Sequence, residues 1–167
     1  SRYAPNAADD QGINIPGKQD KGRTSCRSCH GEAPHKTEQK LNDHTKRIAC
    51  QTCHIPEFSR GDYASKMWWD WSQAGKFAAD GKPHSTEDAM GLEIYNSKKG
   101  DFVWEEYTRP EYRWFNGTVV YTLLEDQINP DAVVPVNAFL GDANSPDTRI
   151  WPVKVMRGKQ PYDVEYK

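Results

Sequence analysis

The chain has 167 residues, with 22 Lys plus Arg against 24 Asp plus Glu and a formal charge of −2. That length fits about one domain, and the near-neutral balance argues against a nucleic-acid protein, which carries a strong basic excess. Apolar runs are only a few residues long (Ala132 to Val136 is typical, with Pro135 inside it), which excludes a transmembrane helix.

Only 36% of residues are hydrophobic and mean hydropathy is −0.92, a thin supply for an ordinary core. Six Trp, eight Tyr and five Phe are nevertheless not the composition of a disordered chain. Something other than aliphatic side chains is expected to fill the interior.

Residues 1–24 carry Pro5, Gly12, Pro16, Gly17 and Gly22 among polar residues, which reads as an extended leader. The sequence starts at Ser1 with neither a basic n-region nor an apolar h-region, as expected of a mature product or a piece of something longer. Residues 25–60 hold all four cysteines and four of the five histidines. Between the cysteine pairs, the pattern predicts a short helix over Thr37–Ile48 with Thr37 as N-cap.

A second helix is predicted over Tyr63–Ala74, containing Met67, Trp68, Trp69 and Trp71, with Gly75 where a C-cap glycine would sit. Residues 75–100 read as a loop with a short helix near Ser85–Met90. The strongest strand signal runs from Phe102 to Leu124, where Glu111–Phe115 and Thr118–Thr122 flank Asn116-Gly117, the signature of a β-hairpin over 111–122. Beyond Ile128, Pro130, Pro135, Pro146, Pro152 and Pro161 leave room for brief extended pieces only. Residues 61–167 are thus expected to form an aromatic-rich wrapping segment.

The cysteines fall into two copies of one pattern, Cys26-Arg27-Ser28-Cys29-His30 and Cys50-Gln51-Thr52-Cys53-His54. Cys-x-x-Cys-His is the attachment pattern for c-type haem. Two thiols on one helical turn reach the vinyl edge of one porphyrin as thioethers, and the adjacent His projects its imidazole to the iron. Covalent attachment lets a small polypeptide hold a large apolar cofactor with little core of its own, which matches the low aliphatic content.

Two other readings compete. The 20 residues between Cys29 and Cys50 also fit a zinc ribbon, but zinc gives no reason for a His after both pairs, and the Gly common past the second Cys is absent. Two disulfides are the third reading, although a two-residue spacer suits redox sites better than structural bridges.

With Cys26, Cys29, Cys50 and Cys53 holding two haems and His30 and His54 as proximal ligands, His35, His44 and His84 remain. Spare histidines suggest bis-His ligation. His44 can reach either iron. His35 follows its own motif by five residues, just after Pro34, so it is expected to reach a neighbouring iron. His84 is the weakest candidate, and Met67, Met90 and Met156 are fallback ligands. Trp68, Trp69 and Trp71 read as packing, and Arg157-Gly158-Lys159 as a small basic cluster that could pair with haem propionates or bind an anion, or be a solvated charged turn.

Cys26 to His30, then Pro34-His35-Lys36, Leu41-Asn42-Asp43-His44 and Ala49 to Pro56 together resemble a section of the octahaem tetrathionate reductase family of multihaem cytochromes c. Trp68 to Lys76, Arg109 to Thr118 and Val155 to Asp163 continue the resemblance, which covers roughly residues 20–167. Taken with the elements read above, it points to a multihaem cytochrome c, expected to be mainly α and irregular with a small β-hairpin and with haems forming the core.

It further implies a periplasmic or extracellular oxidoreductase that reduces tetrathionate, nitrite or hydroxylamine. Other haem-binding segments, cytochrome subunits, redox proteins or a further copy of the chain would be its partners. The family's reaction-centre haem has a Lys ligand, whereas both motifs here end in His. The expectation is therefore electron transfer in a section of a longer enzyme. The alternatives are a dihaem carrier or extracellular haem conduit without catalysis, and, from another class, a zinc-binding module.

Overall fold

A computed structural model describes residues 26–165; the leader expected at 1–24 lies outside them. Three short helices form: α1 (Arg27–His30), α2 (Gln39–His44) and α3 (Cys50–His54). Two are the cysteine motifs themselves. The third is shorter than the sequence suggests. It starts after Glu38, not Thr37, with no side-chain cap, and the Thr45 hydroxyl closes it by donating to the Asn42 carbonyl at 2.7 Å.

The expectation of a mainly α molecule is overturned. Among the described residues, nine strands stand against those three helices and one 3-10 turn: β1 (Ser65–Asp70), β2 (Ser85–Glu87), β3 (Glu93–Asn96), β4 (Gly100–Glu105), β5 (Glu111–Phe115), β6 (Val119–Tyr121), β7 (Asn137–Phe139), β8 (Arg149–Val153) and β9 (Arg157–Lys159). They fall into two compact units.

One unit comprises Glu57–Pro110, Gln127–Val133 and residues 154–165. It holds a five-stranded sheet in the order β2-β3-β4-β1-β9, with β1 antiparallel to β4 and parallel to β9. The helix expected over Tyr63–Ala74 is instead β1 followed by a 3-10 turn, Trp71–Gln73, whose Ser72 amide is capped by the Asp70 carboxylate.

The reason is a β-bulge. The register runs Lys66↔Trp104 and then Trp68↔Val103, so Met67 is the extra residue and resets the alternation of faces. Lys66 and Trp69, three apart, thereby share one face with Phe102 and Trp104. The Lys66 ammonium lies 3.6 Å from the Phe102 ring centre, 4.9 Å from Trp104 and 5.1 Å from Trp69. Burial and the nearby lysines hold its pKa below the ordinary value.

The predicted helix near Ser85–Met90 is likewise β2. Gly100 has φ +90°, and a Cβ there would overlap the Asp70 carbonyl, so only glycine lets β4 approach the end of β1.

The other unit contains residues 26–56, Glu111–Asp126 and Val134–Val153. The hairpin expected across Asn116-Gly117 does not form. β5 pairs with β8 and β6 with β7, both antiparallel. Gly117 does take a positive φ of 95°, but the chain runs on from one ribbon to the other. The Asn116 amide donates to the Leu140 carbonyl at 2.8 Å, and Leu140 donates to Thr118 at 3.0 Å. Segments distant in sequence supply the partners, which a turn signal cannot reveal. Ala49, Phe115 and Trp151 form the core of this unit, with Val119 and Val153 packed on it.

Candidate haem-ligating site

α3 is spliced into the edge of β8. Ala49 N–H donates to the Ile150 carbonyl at 3.0 Å and Ile150 N–H to the Arg47 carbonyl at 2.8 Å. The Thr52 hydroxyl also donates to the Ile150 carbonyl, at 2.8 Å. The Arg47 guanidinium reaches the Ser145 and Ala143 carbonyls, each at 2.5 Å, and lies 4.8 Å from the Trp114 ring centre. Phe115 and Trp151 meet edge to face at 5.9 Å beneath Ala49. The second cysteine motif thus stands on a fixed ribbon. α1 closes on itself, with the Cys29 and His30 amides donating to the Cys26 carbonyl at 3.3 and 3.0 Å.

Cys26, Cys29 and Cys53 are exposed and Cys50 is half-buried. No disulfide joins them. Among the described residues, no three His, Cys, Asp or Glu side chains gather into one metal-holding group, so the thiols do not form the tetrahedral set of a zinc ribbon. Thiols turned outward suit attachment to a bulky apolar group.

The structure brings two of the candidate histidines together. The His35 and His54 ring centres are 6.1 Å apart with planes inclined by only 13°. Two imidazoles bound on opposite sides of one metal, each with a metal–nitrogen bond of ~2 Å, place their ring centres at about that separation. The spacing therefore fits His35 and His54 as two imidazoles that would hold one haem iron between them.

Asn42 fixes His35 at three points. Its Oδ1 accepts from the His35 backbone N–H at 3.0 Å and lies 3.2 Å from the ring Nδ1, while its Nδ2 donates to the His35 carbonyl at 2.9 Å. Sequence reasoning missed Asn42, whose only signal is its place inside the Leu41-Asn42-Asp43-His44 block.

His30 and His44 are exposed, and the structure does not bring their rings together. Asp43, next to His44, pairs with Lys46 at 3.1 Å, which holds its carboxyl below the ordinary pKa.

His84 belongs to the other unit and closes a loop there. Its backbone N–H donates to Ser97 Oγ at 2.9 Å, its Nδ1 lies 3.2 Å from the same oxygen, and its ring packs on Tyr95. Trp69 and Trp71 stack at 5.0 Å, a packing role. Lys159 of the basic cluster lies on β9, 3.6 Å from Asp70.

The family profile described as bacterial cytochrome c matches residues 66–167. Among solved structures, the octaheme cytochrome c from Shewanella oneidensis is 39% identical, with a TM-score of 0.77 over 94% of this chain. The match takes in 34% of that protein, so the present chain spans about a third of its length. No curated protein matches. Among the described residues, no helix is long and apolar enough to cross a membrane. The profile, the solved relative and the paired motifs agree on one conclusion: the chain belongs to the bacterial cytochrome c family, among the multihaem cytochromes c, a family that implies covalently bound haem.

Proposed function

We propose that the chain carries two haems c as an electron relay within a longer multihaem reductase. One is held by Cys26 and Cys29 with His30 as proximal ligand, the other by Cys50 and Cys53 with His54. His35 would be the second ligand of the iron on His54, and His44 a ligand in reach of either iron. The haem supplies a one-electron ferric/ferrous couple.

The residues do the rest. The thioethers would fix each porphyrin edge, the His35 and His54 imidazoles would keep the iron between them closed to substrate, and the β5–β8 ribbon holds the second motif in place. A closed iron suits relay, which puts the reaction centre for tetrathionate, nitrite or hydroxylamine outside these residues. Other haem-binding segments or redox proteins at a periplasmic or extracellular location complete the path. The matched share of the octaheme relative supports a section of a longer enzyme over a free-standing dihaem carrier.

The observation that carries this reading is the near-parallel His35–His54 pair at 6.1 Å. Optical and electron paramagnetic resonance spectra of the haem-loaded protein test it. His35→Ala is expected to turn one low-spin haem high-spin and leave the other unchanged. Unaltered spectra would remove His35 from the ligand set. Intact mass of the 19.1 kDa chain is expected to show two added haems.

A further inference from the structure

We infer that Asn42 is a positioning residue that sets the reduction potential of the haem on Cys50 and Cys53 by fixing the tautomer of His35. The inference rests on the assignment of His35 as an axial ligand. Asn42 Nδ2 is committed as donor to the His35 carbonyl at 2.9 Å, so the amide is oriented with Oδ1 toward the ring. Oδ1 has no proton to give. The contact at 3.2 Å must therefore run from ring Nδ1–H to Oδ1.

That places the proton on Nδ1 and the lone pair on Nε2, the form in which imidazole binds a metal through Nε2. The backbone bond from His35 N–H to the same Oδ1 at 3.0 Å fixes the ring's base as well. His35 is half-buried and Asn42 half-buried beside it, so water does not freely replace the clamp.

An acceptor on Nδ1–H makes the imidazole a stronger donor to iron and favours the ferric state. Asn42→Leu removes the acceptor and is expected to raise the midpoint potential of one haem. Asn42→Asp gives up the donor to the His35 carbonyl but keeps an oxygen within reach of the ring Nδ1–H, now anionic, and is expected to lower it. Each change is about tenfold in ferric-over-ferrous preference, which for one electron is about 59 mV. The other haem should not move.

Opposite signs separate this role from a structural one, because general loosening would shift both variants the same way. The measurement is a spectroelectrochemical titration of the loaded protein, with His35→Ala alongside. If His35→Ala opens one haem while both Asn42 variants leave its midpoint unchanged or move it in one direction, the positioning role falls and the ligand assignment stands. If His35→Ala leaves the spectra unaltered, the ligand assignment itself falls. Should Asn42→Leu fail to fold, Asn42→Asp still reads the sign.

Discussion

Cys26–His30 and Cys50–His54 share one spacing and one terminal residue, yet they are held by different means. The first closes its turn on its own Cys26 carbonyl. The second is tied through Arg47, Ala49 and Thr52 to β8, above Phe115 and Trp151. The pentapeptide thus encodes attachment, which is local chemistry, while position is encoded by residues nearly a hundred places away. Electron transfer needs fixed spacing between centres, and for the second motif the ribbon beneath it supplies that fixity.

Cutting the mooring should break this contrast in graded steps. Trp151→Ala empties the core beneath Ala49 and is expected to cost about 3–5 kcal/mol. Denaturant unfolding measures it, and the potential of the second haem should change while that of the first does not. Arg47→Met deletes both carbonyl contacts and the stacking on Trp114, for about 1–2 kcal/mol by the same assay. Thr52→Val removes one of the donors to the Ile150 carbonyl, for about 0.5–1 kcal/mol.

The smallest effect lies in the loop that presents the Ser145 carbonyl to Arg47. The Ser145 hydroxyl, with the Asn144 and Ser145 amides, holds the Asp142 carboxyl below its ordinary 3.8. The folded state therefore binds fewer protons there than the unfolded chain. That contribution is complete above 3.8 and is lost as pH falls through the lowered folded value. Asp142→Asn should flatten the acid limb of a melting-temperature profile taken from about pH 5 to about pH 2. An unchanged profile would detach this loop from the mooring.

The motifs were legible because their chemistry is confined to five consecutive residues. His35 was expected to turn from its own motif on steric grounds, and its ring lies beside that of His54. Asn42 was not legible, since it acts on His35 seven places back, in a stretch that lies before α2 and outside any regular element. Much of the fold was misread for the same physical reason. The bulge at Met67 gives β1 a helix-like spacing of Lys66 and Trp69, and only pairing with β4 resolves it. Asn116-Gly117 bends as its residue types suggest, but β7 and β8, not the adjoining strands, supply the partners.

The three bonds between His35 and Asn42 close within seven residues, and all of them precede Cys50. A chain emerging N-terminus first can complete this clamp before the second motif exists, because closing so short a loop takes little entropy and no distant partner. The imidazole is then already oriented when His54 appears. If His35 ligates the second centre as proposed, vectorial assembly would set that imidazole before the second motif is made, and its capture would not wait on a late search through the folded protein.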